Sequence, residues 1–131
     1  MTRRGTPEAD LQRAVVQALR VALPPTAIIH HSANEVTERG PRGARRQAIL
    51  TGMGVHAGFA DLMVLSGGRV LFLELKAPKG RLQPSQEAFR DAVQAQGFGW
   101  ALVRSLDDAL GALADHGFTT RIAPAPRRVA P

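Results

Sequence analysis

The stretch FADLMVLSGGRVLFLELK, residues 59–76, decides the fold of this chain because it has the pattern of two apolar β-strands joined by a tight turn. We predict strands over residues 59–65 and 69–76, since both runs are rich in the aliphatic and aromatic residues that favour strands. Gly67-Gly68 between them is a typical two-residue hairpin turn. The two strands are therefore expected to pair antiparallel, in a register that the turn sets.

This register brings three charged side chains together. If Ser66 pairs with Arg69 across the turn, counting outward places Asp61 directly opposite Glu74. Directly opposed residues project from the same face of a sheet, with Cβ atoms about 5 Å apart, and Lys76 shares that face because it lies two residues beyond Glu74. Two opposed carboxylates among apolar neighbours repel each other and lose hydration, which a cation such as Mg²⁺ would compensate. A lysine beside such a metal site can orient or deprotonate the attacking water.

The same three residues also have a purely structural interpretation. Glu74 and Lys76 could form an ordinary ion pair at a strand end, and Asp61 could cap the start of its strand. Short motifs of this kind often match by chance, and the chain would then be an unrelated α/β protein. The choice between the two interpretations depends on what neighbouring elements bring to this face.

Two predicted helices each bring a polar side chain towards the hairpin. Glu8 belongs to the buried stripe of a helix over residues 7–23, since it precedes the apolar Val15 by two helical turns. Gln86 lies near the inward face of a helix over residues 84–96. Each has an alternative structural role, interaction with the helix N-terminus for Glu8 and satisfaction of a loop carbonyl for Gln86.

The remaining predicted elements place the hairpin in an α/β fold. They are strands over residues 27–31 and 98–103 and helices over residues 44–51 and 106–116. This order of elements predicts a small mixed β-sheet flanked by helices. We expect one domain over residues 1–121 and a disordered, Pro/Ala/Arg-rich tail over residues 122–131.

Composition limits the functions that are open to this chain. Its 131 residues fit one domain with one core, and the hydrophobic fraction of 44% is ordinary. The absence of cysteine excludes disulfides, thiolate zinc sites and a cysteine nucleophile. No stretch has the length and apolarity of a membrane span or a signal peptide, so we expect no membrane partner and a cytoplasmic location.

The basic residues favour a polyanionic partner. The net charge is +6, and fifteen of the 17 basic residues are arginine, which can bind phosphate in bidentate fashion. A GC-rich genome would also produce this excess of arginine, so the placement of the arginines matters more than their number. We predict a DNA-contacting region that consists of Asn34, Glu35, Arg39, Arg42, Arg45, Arg46 and His56.

Several of these segments together resemble one known family, the VRR-NUC domain, which is the virus-type replication-repair nuclease branch of the PD-(D/E)xK superfamily. The likeness is carried by GMGVHAGFAD (residues 52–61), LELKA (residues 73–77), GRL (residues 80–82) with Gln86, and Glu8 with Gln12. It extends from about Glu8 to Ala109. Ala60 stands where the family often has a proline before the aspartate, and because that proline is structural we expect activity without it.

The resemblance implies a restriction-endonuclease-like α/β core and hydrolysis of DNA phosphodiester bonds with Mg²⁺ or Mn²⁺. The metal or water ligands that it implies are Asp61, Glu74, the backbone carbonyl of Leu75 and, as an auxiliary, Glu8. Lys76 would position or activate the attacking water, and Gln86 would support the site.

The resemblance also implies a substrate class and an assembly. Stand-alone members of the family resemble phage Holliday-junction resolvases and tend to be homodimers, which implies a structure-selective endonuclease of phage or prophage replication, recombination or repair. A two-fold dimer suits branched DNA because it presents two sites to two strands. The alternative is a nucleic-acid-binding module that keeps the fold without turnover, although such a module has no physical need for the complete Asp-Glu-Lys set.

Overall fold

A computed structural model describes residues 6–32 and 39–121 of the chain. The elements within these ranges are α1 (Pro7–Ala22), β1 (Ile28–His31), α2 (Gly40–Gly52), β2 (Leu62–Ser66), β3 (Arg69–Leu75), α3 (Pro84–Ala95), β4 (Gly99–Val103) and α4 (Leu106–Asp115). The strands form one sheet in the order β1-β2-β3-β4, in which β4 is parallel to β3 and the other pairs are antiparallel. The predicted α/β class, with a small mixed sheet flanked by helices, is confirmed.

The central hairpin has the predicted register. Ser66 pairs with Arg69 and Leu62 pairs with Leu73, and the two glycines of the turn have φ angles of 59° and 76°. Positive φ at both central positions matches the twist of the flanking strands, and glycine adopts it without strain. The turn thus determines which side chains of β2 and β3 share a face.

The sheet separates two apolar layers. On one face, Leu73 belongs to a core that includes Val15 of α1 and Leu113 of α4. On the other face, Phe72 packs against Phe89 of α3. Since side chains alternate along a strand, the residue after Leu73 faces the α3 side. The charged residues of the hairpin therefore lie at the end of the α3 face, where β3 stops.

The predicted boundaries of the two hairpin strands are wrong at the ends next to Asp61 and Lys76. β2 begins at Leu62, three residues later than expected, because its neighbour β1 ends at His31, which pairs with Leu62. β3 ends at Leu75. Asp61 therefore lies just before its strand and Lys76 just after its strand, although backbone hydrogen bonds still join Asp61 to Ser32 and Lys76 to Val103.

The predicted start of α2 is also wrong. The helix begins at Gly40 and not at residue 44, because Pro41 lacks an N–H and has a fixed φ, both of which suit the first turn of a helix. Asn34, Glu35 and the predicted tail over residues 122–131 lie outside the described residues. None of the helices in the described part of the chain combines the length and apolarity that a membrane crossing requires.

The loop before β2 makes a close backbone contact with the start of α3. Gly58 has a φ of +76°, and a Cβ built on it would overlap with the backbone carbonyl of Ser85. We expect Gly58→Ala to lower the free energy of unfolding by about 2–4 kcal/mol, because strain at positive φ adds to a backbone overlap. Urea denaturation measures this loss.

Gly54→Ala is the matched control for this substitution. Gly54 also has a positive φ, +102°, but a Cβ built on it would meet nothing within 4 Å. It should therefore show only the smaller loss that the backbone conformation causes. Equal losses in the two variants would contradict the close approach of Gly58 to α3.

Candidate active site

Asp61, Glu74 and Lys76 meet where β3 ends. Glu74 and Lys76 are buried, with 1% and 8% of their surface exposed, and Lys76 Nζ lies 3.8 Å from Glu74 Oε1. The Asp61 carboxylate is near enough to Glu74 for its negative charge to raise the pKa of Glu74. The predicted convergence of these three side chains on one face is therefore present.

Hydrogen bonds from two strands hold Asp61 in place. Its Oδ2 accepts a hydrogen bond of 2.8 Å from the backbone N–H of Leu75. Its carbonyl oxygen accepts from the backbone N–H of Ser32 at 3.1 Å and from Nδ1 of His31 at 3.0 Å. These bonds orient both the backbone and the carboxylate of Asp61. The metal-binding role of the Leu75 carbonyl stays a prediction.

Gln86 orients the Glu74 carboxylate. Its Nε2 donates a hydrogen bond of 2.8 Å to Glu74 Oε1, and its Oε1 accepts from the backbone N–H of Gln83 at 2.8 Å. Because an acceptor is needed at Gln83 and a donor at Glu74, the amide has only one orientation that satisfies both. The predicted approach of Gln86 to the site is present, and the geometry makes it a positioning residue.

The Glu74 carboxyl is in an unfavourable environment for a charge. Its pKa is raised from 4.5 to about 8, first by burial and then by the negative charge of Asp61, while Lys76 acts in the opposite direction. Its Oε2 is buried and has no hydrogen-bond partner among the residues that the structure describes. A buried carboxylate oxygen without a donor is costly unless a proton or a cation neutralises it.

The donor set of this site fits a hard divalent cation. Asp61 and Glu74 offer carboxylate oxygens on adjacent strands, and Mg²⁺ commonly takes one or two carboxylates and completes its shell with water and substrate phosphate. Within residues 6–32 and 39–121, no three His, Asp or Glu side chains are grouped closely enough to hold an ion by themselves. Two carboxylates would leave the other coordination positions of such an ion to water and a phosphate oxygen.

A cavity of about 680 Å³ is lined by Asp61 and Lys76, and the first turn of α1 forms one wall of it. Glu8 and Gln12 both line this wall. The charge of Glu8 also contributes to the raised pKa of Glu74, so α1 carries Glu8 towards the site as expected. Its role as an auxiliary metal or water ligand stays a prediction.

The four arginines predicted to contact DNA line neither cavity beside Asp61. Arg39, Arg42, Arg45 and Arg46 lie at and just after the start of α2, are exposed and make no ion pair with another described residue. His56 lines a second, smaller cavity that also touches Asp61, and its Nδ1 bonds to the Ala57 carbonyl at 2.8 Å. Asn34 lies outside the described residues. DNA contact by this group stays a prediction.

Two further residues hold the site although the sequence patterns did not single them out. His31 bonds to the Asp61 carbonyl; the sequence indicated that it ends a strand, but the pairing of that strand with β2 had no local signal. Arg104 donates from Nη1 to the carbonyls of Ala77 at 2.7 Å and Pro78 at 3.2 Å, which fixes the segment after Lys76. Arg104 had no such signal, since its contact depends on the parallel pairing of β3 with β4.

Fold and site together define a class of protein, an α/β domain with a carboxylate–lysine site at the end of a central hairpin. Solved structures share this fold. One, described as a "VRR_NUC domain protein", is 20% identical over 87% of this chain and 90% of its own, with a TM-score of 0.62. Another, described as a "VRR_NUC domain", is 17% identical over 87% of this chain and 100% of its own, with a TM-score of 0.57.

The chain therefore has the same fold as these two VRR_NUC domain structures. The resemblance found in the sequence motifs is confirmed at the level of the fold. No protein-family model and no curated protein matches the chain. The activity must therefore be inferred from the chemistry of the site residues.

Proposed function

We propose that this protein is a metal-dependent DNA endonuclease that hydrolyses phosphodiester bonds at Asp61, Glu74 and Lys76. The observation that carries this proposal is the pairing of Asp61 with the buried Glu74, whose Oε2 has no donor among the described residues. A buried carboxylate oxygen needs a partner, and a bound cation would supply one. The VRR_NUC fold supports the same activity.

The chemistry divides between the cation and the residues of the chain. Mg²⁺ or Mn²⁺ bound at Asp61 and Glu74 would polarise the phosphoryl oxygen and lower the pKa of a bound water. Lys76 supplies a fixed ammonium group that can orient the attacking water and stabilise negative charge on the phosphate. Gln86 occupies one oxygen of Glu74, which leaves Oε2 for the cation.

The entrance of the site suits a phosphate. The first turn of α1, from its N-cap Thr6, and the N-cap of α3, Gln83, both line the larger cavity. Helix N-termini carry partial positive charge and unpaired N–H groups, which favour anions. The net charge of +6 adds a long-range attraction for DNA.

For the substrate, we propose branched or junction-containing DNA, cut by a homodimer in phage or prophage replication, recombination or repair. The support for this part is the motif resemblance to stand-alone VRR-NUC proteins. The arginines at the start of α2 would contact the phosphate backbone, because they are exposed and make no ion pair with another described residue. A two-fold dimer would place two sites on the two strands of a symmetric junction.

A cleavage panel of junction, flap, single-stranded and duplex DNA tests the proposed activity. We expect cleavage with Mg²⁺ or Mn²⁺ and none with EDTA. Lys76→Met should lower the single-turnover rate by about 10²–10³-fold, because it removes the charge that stabilises the transition state. Lys79→Met is the matched control, since Lys79 is exposed and outside the site.

Two results would count against the proposal. Equal rates for Lys76→Met and Lys79→Met would remove Lys76 from the mechanism. Binding of DNA without cleavage of any substrate in the panel would favour the alternative, a nucleic-acid-binding module with the same fold.

A further inference from the structure

A second cavity, of about 230 Å³, adjoins the metal site. Asp61, Gln83 and Gln86 line both this cavity and the larger one. The remaining walls come from α2, from the loop before β2 and from Ser85 at the start of α3. Whatever occupies the smaller cavity would therefore lie beside the phosphate at the metal site.

The lining of the smaller cavity does not suit a phosphate. No lysine or arginine of the described chain lines it, and its one carboxylate is Asp61. A phosphate placed there would meet the negative charge of Asp61 with no lysine or arginine to offset it, and Nδ1 of the one histidine in the lining, His56, is already bonded to the Ala57 carbonyl. The occupant is therefore expected to be an uncharged part of the substrate.

The same lining offers neutral hydrogen-bonding groups around an apolar wall. Gln47 donates from Nε2 to Thr51 Oγ1 at 3.1 Å, which leaves its Oε1 as an acceptor. The Ser85 hydroxyl has no hydrogen bond to another described residue and can donate or accept. Val55 and Phe59 supply apolar surface. This combination matches a nucleobase, which has an apolar face and an edge of donors and acceptors.

Packing holds the cavity open in a fixed shape. The Phe59 ring lies 4.7 Å from the Phe89 ring, and the His56 ring meets the same Phe89 at 5.6 Å. Gly58 lies against the Ser85 backbone. Because its walls are already packed against α3, the cavity needs no rearrangement before a base enters.

We propose that this cavity binds one unpaired nucleobase of the substrate, adjacent to the phosphodiester bond that is cut. The inference rests on the proposed nuclease function. A base that is paired and stacked in a duplex must leave the stack to enter such a cavity, and unpaired bases do so at the least cost. The cavity would thus select DNA that has an unpaired nucleotide at the cleavage point.

The test is a single-turnover cleavage series on a flapped DNA in which one abasic residue is moved through the positions around the cut. We expect a loss of about 10- to 100-fold at one position, because that base loses its stacking and hydrogen bonds. An abasic residue keeps its sugar, so the loss would report on the base. Ser85→Trp should fill the cavity and slow cleavage of the intact substrate to a rate similar to that of the abasic substrate. The rate should then no longer depend on whether that position carries a base.

Gln94→Trp is the matched control, because Gln94 is exposed on the last turns of α3 and lines neither cavity. It should keep the dependence on the abasic position. Equal rates at all abasic positions in the unmodified protein would overturn the inference, as would a Ser85→Trp variant that keeps the dependence.

If no DNA is cut, the proposed nuclease function fails, but base binding in the smaller cavity can still be tested by a binding measurement. The probes are a labelled oligothymidylate and an abasic strand of equal length, measured by fluorescence anisotropy. The unmodified protein should prefer the oligothymidylate, and Ser85→Trp should lose that preference. Equal affinity of the unmodified protein for both strands would overturn the inference.

Discussion

Asp61→Asn should lower the rate of DNA cleavage by about 10³-fold or more. Weaker metal binding removes several kcal/mol of transition-state stabilisation, and a loss of that size slows the reaction by this factor. Asparagine keeps the shape of the side chain and an oxygen that can accept from the Leu75 N–H. It removes one of the two negative charges that would bind the cation. Single-turnover rates at saturating metal and DNA give the loss.

Asp108→Asn is the matched control for this substitution. The Asp108 carboxylate also accepts a backbone hydrogen bond, from Arg104 at 3.0 Å, but it belongs to α4 and lines neither cavity. It should stay within a few fold of the unmodified rate. If Asp61→Asn also stayed within about tenfold, a loss too small for a metal ligand, Asp61 would not be one.

Glu74→Gln should make the metal-free protein more stable at about pH 8, by about 2–4 kcal/mol, while it abolishes cleavage. In the folded protein the pKa of Glu74 is raised from 4.5 to about 8, whereas the unfolded chain ionises near the ordinary value. The stability that the protonated carboxyl contributes is therefore complete below pH 4.5 and is lost as the pH rises through about 8. Glutamine avoids this loss because it stays neutral.

Urea unfolding in EDTA at about pH 5 and at about pH 8 measures this effect, since the two conditions bracket most of the titration. The advantage of Glu74→Gln should grow between the two conditions. Glu87→Gln, on the exposed side of α3, should show no such growth. An unmodified protein that gained stability relative to Glu74→Gln as the pH rose would contradict the raised pKa.

The central hairpin could be predicted because its determinants are local. Gly67-Gly68 fixes the turn, and the two-residue period of a strand then brings Asp61, Glu74 and Lys76 to one face. Helical periodicity in the same way placed Gln86 on the side of α3 that faces Glu74. Each of these inferences needs only the spacing of residues within one element or across one tight turn.

Features that depend on distant pairing could not be predicted in the same way. The bond from His31 to Asp61 requires β1 to pair with β2, and the bond from Arg104 to Ala77 requires β4 to lie beside β3. The smaller cavity depends on the packing of three separate segments around Ser85. Such contacts arise from the assembled sheet and helices, and no short pattern in the sequence records them.

Calorimetric titration of Mn²⁺ into the protein at about pH 8 tests most directly whether Asp61 and Glu74 form a metal site. At that pH only a fraction of the Glu74 carboxyl groups carry a proton that the metal must displace. We expect saturable binding with an affinity of millimolar or tighter, and its loss in both Asp61→Asn and Glu74→Gln. Absence of binding at millimolar Mn²⁺, or equal binding by the unmodified protein and both variants, would contradict a metal site at these two carboxylates.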